Sequence, residues 1–234
     1  MLAVNSRIVE LQGVGVRFGT VDVLKNVSLD ICRGEIVGVT GANGSGKTTL
    51  LRVLATLIRP HSGQGQILGK PIGSGETAAV RGRIGLLGHT AALYPELTLA
   101  ENLRFASRMT GVDEARADLV LAAVGLQGAS DRRLDQCSNG MQRRADIARL
   151  LVSMPELLLL DEPHAGLDRA AADLVEAAAR EVAGRNGAVV IVSHDTHLMQ
   201  PLVDRMWRID EGELHQTNGV MDESDKRTPQ KGAT

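Results

Sequence analysis

Short apolar runs, broken by glycine and polar clusters, set the layout of this chain. Residues 8–40 hold three β-type runs, IVELQ, VSLDI and EIVGVT, and the last runs into a glycine-rich turn. From Lys47 the apolar spacing of TTLLRVLATLI predicts a helix that Pro60 stops. Gly and Ser cluster at 62–75, which predicts loops or a short hairpin, and RIGLLG at 83–88 predicts a strand. Residues 98–153 change to helical periodicity in LAENLRFASRMT, DEARADLVLAAVGL and MQRRADIARLLVS. The runs LLLLDEP and AVVIVSH follow, separated by an alanine-rich helix around 170–183. Apolar runs without alternation predict strands covered on both faces, as in a parallel sheet.

This order predicts one α/β domain over residues 1–216, interrupted by a helical lobe at about 89–155. The polar, aperiodic segment 217–234 is expected to be a disordered tail. No internal repeat is present. The longest apolar run, LLLL at 157–160, is too short for a membrane helix. The N-terminal MLAVNSRIVEL has no long apolar core of the signal-peptide kind.

Composition alters this picture in only a few respects. The chain has 234 residues, 43% of them hydrophobic, yet only one Trp, one Tyr and two Phe, so the core must be aliphatic and each aromatic is a candidate for a specific task. Net charge is −2 with no concentrated basic stripe, which argues against nucleic acid as a partner. Cys32 and Cys137 fit no metal-ligand spacing and read as buried free thiols of a cytosolic protein.

The first chemical motif is Gly41-Ala42-Asn43-Gly44-Ser45-Gly46-Lys47-Thr48, which fits G-x-x-x-x-G-K-[ST], followed by Thr49. Glycines let the backbone turn its N–H groups inward onto phosphates, and the helix that follows adds unpaired donors and its positive dipole end. Lys47 is expected on the β- and γ-phosphates and the Thr48 hydroxyl on Mg²⁺. The pattern alone does not choose among GTPases, kinases and ABC (ATP-binding cassette) ATPases. The second motif is Leu157–Leu160 followed by Asp161 and Glu162, a buried strand ending in two acids on the sheet edge where open α/β folds bind ligands. Asp161 is the candidate metal ligand, and Glu162 the candidate general base for water.

Over nearly all of residues 7–215 the chain resembles the ABC ATPases. The family signature LSGGQ is similar to Cys137-Ser138-Asn139-Gly140-Met141, followed by Gln142 and Arg143, and precedes a helical run that Ser138 can cap. Gly166-Leu167-Asp168 resembles the D-loop, and His194 after AVVIVS the switch histidine. Phe18 stands where an aromatic stacks on adenine, and His89 takes the place of the Q-loop glutamine that touches Mg²⁺. The resemblance implies a P-loop NTPase of ABC type, with a mixed core sheet and an inserted helical subdomain. It also implies two copies docked head to tail around two ATPs, each held between one copy's phosphate loop and the other's signature. The implied partners are a second copy, or a paralogous ATPase, and an integral membrane permease. The implied location is the cytoplasmic face of the cell membrane. Leu87-Gly88-His89 and Leu97–Leu103 further resemble the haem-exporter ATPase of cytochrome c biogenesis (CcmA); a generic ABC-2-type export ATPase is the alternative. Non-transport ABC ATPases fit less well, since the chain has one cassette and no long heptad coil.

Overall fold

The computed structural model describes residues 7–88, 90–164 and 169–217. His89, Asp168 with the rest of the D-loop, and 218–234 of the expected tail lie outside the described residues.

Two sheets form the core. Strands β1 (Arg7–Phe18) and β2 (Val21–Cys32) make a long antiparallel hairpin, and the separate runs IVELQ and VSLDI are segments of these longer strands. The Gly/Ser cluster becomes β4 (Ser62–Ile67) and β5 (Lys70–Pro71), a hairpin that pairs onto β1 to give the order β2-β1-β4-β5. The second sheet contains β3 (Ile36–Thr40), β6 (Ile84–Leu87), β7 (Leu157–Asp161), β8 (Ala188–Val192), β9 (Arg205–Asp210) and β10 (Glu213–Thr217), in the order β10-β9-β3-β8-β7-β6. Its pairs are parallel except β10 on β9, so the sheet is mixed. Strands β7 and β8 are buried at every position, as their unbroken apolar runs require.

Helix α1 (Lys47–Leu54) follows β3 and packs between the two sheets with Val37, Val39, Leu157 and Val190. It ends well before Pro60, because Thr56 takes a left-handed φ of 59°. The lobe consists of α2 (Leu99–Thr110), α3 (Arg116–Ala123) and α4 (Asn139–Ser153), around a core that includes Leu99, Leu103, Leu121 and Ala148. Helix α5 (Arg169–Gly184) covers the other face of β7 and β8 through Val175, Ala179 and Val182, and a short α6 (Thr196–Met199) follows β8. Of the two thiols, Cys137 is buried, but Cys32 is only half-buried at the end of β2.

Candidate functional site

Three parallel strands deliver the site to one sheet edge. Val39 of β3 pairs with Val192 of β8, which pairs with Asp161 of β7, so the three chains leave the sheet side by side. From β3 emerges the phosphate loop, from β7 Asp161 and Glu162, and from β8 Ser193 and His194. Between them lies a cleft of about 350 Å³ lined by Asn43, Gly44, Gly46, Lys47, Thr48, Thr49, Asp161, Glu162, His194 and Val23.

The loop's shape depends on its bounding glycines. A Cβ on Gly41 would lie 2.4 Å from the Ile209 carbonyl oxygen, and one on Gly46 2.9 Å from that of Val23. Gly46 also has φ 110°, outside the range of other residues. Lys47 starts α1 and is buried, and its Nζ donates to the carbonyls of Gly41 (2.7 Å) and Ala42 (2.8 Å), closing the loop into a ring. Ser45 Oγ is buried and has no partner among the described residues, which leaves a donor available to an anion in the loop.

Thr48 Oγ1 donates to Asp161 Oδ2 at 2.9 Å. A hydroxyl and a carboxylate oxygen are hard ligands of the type Mg²⁺ takes, the remaining positions going to phosphate and water. Among the described residues no group of three or more His, Cys, Asp or Glu could hold a metal without such help.

Glu162 is 9% exposed and adopts φ 47°, with its N–H donating to the Val192 carbonyl at 2.8 Å. Its carboxylate accepts from Ser193 Oγ (2.9 Å) and from the His194 backbone N–H (3.1 Å), and His194 Nδ1 lies 3.0 Å from Oε2. The His194 ring itself is 66% exposed. Ser193 was not read as a site residue from sequence; its only signal there is its position before His194, at the end of a buried strand.

The remaining predicted residues lie elsewhere. Phe18 is 51% exposed at the tip of the β1–β2 hairpin; it does not line the cleft, although Val23 of the same hairpin does. Ser138 caps α4, its Oγ accepting from the Met141 N–H at 3.3 Å. Gln142 Nε2 points inward, donating to the Leu134 and Cys137 carbonyls, both at 3.1 Å. Asn139 and Gly140 are exposed on the first turn, and none of Ser138–Gln142 lines the cleft.

Residues 24–165 match the family described as ABC transporter. The chain is 37% identical to the daunorubicin resistance ATP-binding protein of Streptomyces coeruleorubidus over 88% of this chain and 66% of that one, so it spans just under two thirds of this relative. It is 38% identical to the lipoprotein-releasing system ATP-binding protein of Novosphingobium aromaticivorans, over 83% of this chain and 91% of that one. Among solved structures, an ATP-binding subunit of an ABC transporter superposes with a TM-score of 0.84 at 25% identity, over 91% of this chain and 90% of that one. A dimeric ATP-binding cassette in a post-hydrolysis state, bound to ADP and Pi, gives 0.79 at 27% identity over 91% of this chain and all of that one. The chain therefore belongs to the ABC transporter family, and what it contributes there is an ATPase cassette.

Proposed function

We propose that this chain dimerises around ATP, hydrolyses it with Glu162 as general base, and uses the cycle to drive a membrane permease. The observation that carries the reading is the fixed Glu162 carboxylate beside the phosphate loop, in a chain whose capped signature turn is exposed away from its own cleft. In this reading that turn offers its free N–H donors to the γ-phosphate held by a second copy. Closure then places each ATP between Lys47 of one copy and Ser138, Asn139, Gly140 and Met141 of the other.

Within the closed site Glu162 takes a proton from water as the water oxygen attacks the γ-phosphorus. The bond to the β–γ bridging oxygen breaks, giving ADP and inorganic phosphate. His194 and Ser193 hold Glu162 in place, and His194, being exposed, can also turn toward the γ-phosphate. Mg²⁺, held by Thr48 and Asp161, would neutralise charge on the phosphates. Phe18 would meet the adenine by moving over the cleft with its hairpin. His89 and Asp168 keep the roles that the family resemblance assigns them.

No helix among the described residues is long and apolar enough to cross a membrane; in this reading the permease does the crossing. The cassette then works at the inner face of the membrane. For the cargo we favour export of a small molecule. The relatives that support this are the daunorubicin resistance protein and the bacitracin transport ATP-binding protein of Bacillus licheniformis, 36% identical. Haem export is the narrower alternative, supported by Leu87-Gly88-His89 and Leu97–Leu103; the permease that co-purifies distinguishes the two.

The test is a pair of variants. Glu162→Gln is expected to bind ATP normally while kcat falls by about 10²–10⁴. Lys47→Ala is expected to lose tight ATP binding. Undiminished turnover in the first, or normal nucleotide affinity in the second, contradicts the mechanism.

A further inference from the structure

Helix α4 carries the signature turn, and its attachment to the core is uneven. Its middle is anchored by packing, with Ile147 and Leu150 buried alongside Leu87 and Leu158. Its first turn is held from the lobe side instead, by Gln142 donating to the Leu134 and Cys137 carbonyls and by Met141 packed on the lobe core, while Asn139 and Gly140 are exposed. Between these regions lies a polar contact. Arg143 Nη1 donates to the Gly88 carbonyl at 2.6 Å, just past the end of β6. Two turns further on, Arg149 Nη2 donates to the Leu86 carbonyl at 2.9 Å, and its Nε donates to Asp146 Oδ1 at 2.8 Å. Asp146 is fully buried. Burial lowers the Arg143 pKa from its ordinary value, and Asp146 works in the opposite direction. The guanidinium is therefore partly withdrawn from water.

β6 is an edge strand, so carbonyls at its end have no neighbouring strand to satisfy them. Arg143 and Arg149 fill that gap from α4. Arg149 sits among apolar neighbours that already hold the helix. Arg143 ties the start of the helix to the end of β6, and that bond limits rotation of the signature turn, with the lobe contacts around it, relative to the core sheet.

The geometry points to Arg143 as a positioning residue for ATP-driven dimerisation: through its bond to the Gly88 carbonyl it aims the N-terminal turn of α4 toward the facing copy. Arg143 touches no nucleotide; it acts through Ser138–Met141. The inference rests on the dimer proposed above. Removing the tether leaves the phosphate loop intact, so nucleotide binding to the monomer and formation of the closed pair come apart.

The experiment uses full-length protein carrying Glu162→Gln, with and without Arg143→Met or Arg143→Lys, and follows the dimer by sedimentation against ATP concentration. ADP affinity of the monomer is measured in parallel. Arg143→Met is expected to raise the ATP needed for half-dimerisation by about tenfold, the scale of one lost charge-assisted bond, while ADP affinity stays within about twofold. Arg143→Lys, which keeps one donor, is expected to fall between the two and carries the test if the Met variant does not fold. Dimerisation of Arg143→Met at the parent's ATP concentration overturns the inference, as does an equal loss of ADP affinity. A Glu162→Gln parent that never dimerises refutes the proposed dimer itself.

Discussion

Glu162 sits where backbone and side-chain constraints meet. Its φ of 47° is unusual for a residue with a Cβ, and the bond from its N–H to Val192 holds it there. Its carboxylate is then gripped by Ser193 and His194, both delivered by the end of β8. A general base acts well only when aimed, so Ser193→Ala is expected to lower kcat by about tenfold or more with ATP affinity unchanged, because a bond to a charged acceptor is worth about 1.5–3 kcal/mol. Steady-state kinetics beside a nucleotide titration checks this; an unchanged kcat removes Ser193 from the role. At this scale the sequence was informative about Lys47, Thr48, Asp161 and Glu162, whose types and order follow from phosphate chemistry. It was silent on Ser193, because a serine next to a motif carries no pattern of its own and its partner is 31 residues away.

Element boundaries followed the same logic. Helix α2 was legible from the periodicity of LAENLRFASRMT, and a capping box fixes its start: the Glu101 N–H donates to Thr98 Oγ1 at 3.1 Å and the Thr98 N–H to Glu101 Oε2 at 2.8 Å. The Thr98 backbone N–H above all holds the Glu101 carboxyl below its ordinary range. Thr98→Ala is expected to cost about 1 kcal/mol in urea unfolding; a loss near zero would show that the lobe core alone fixes the helix. Strand β4 was only partly legible, because SGQGQI is mostly exposed and its Gly/Ser cluster left loops and a short hairpin both open. Its glycines serve close approach: a Cβ on Gly65 would lie 2.2 Å from the Glu10 carbonyl oxygen of β1. Strands β9 and β10, with mixed polar positions and only partial burial, gave no continuous apolar run and were not anticipated. The end of α1 was misplaced because the left-handed turn at Thr56 acts before Pro60 can.

Across the whole molecule, the two sheets and the strand starts are tied together by ions at the edge opposite the cleft. Glu156, ahead of β7, pairs with Arg33 from the β2–β3 turn at 2.9 Å and Arg83 ahead of β6 at 2.5 Å. Chiefly through Arg83, its pKa is lowered from 4.5 to about 2. A depressed carboxylate contributes stability above the unfolded value, and the contribution disappears as pH falls from about 4.5 through about 2. Because the side chain is 35% exposed, solvent screening limits this to about 1 kcal/mol. Glu156→Gln is therefore expected to be less stable at pH 7 and to lose less on acidification, as thermal melts across pH would show; parallel curves for the two proteins would contradict it. The parallel core of β3, β8, β7 and β6 was legible, since β7 and β8 had to be covered on both faces. That β1 and β2 build a separate sheet with β4 and β5 was not, because β4 joins β1 from far along the chain and is mostly exposed.

The account depends most on a signature turn that completes another copy's site. Sedimentation of Glu162→Gln protein with and without ATP tests that directly. The account predicts monomers without nucleotide and a dimer of twice the mass with ATP, abolished by Lys47→Ala. Protein that stays monomeric with ATP bound would contradict it.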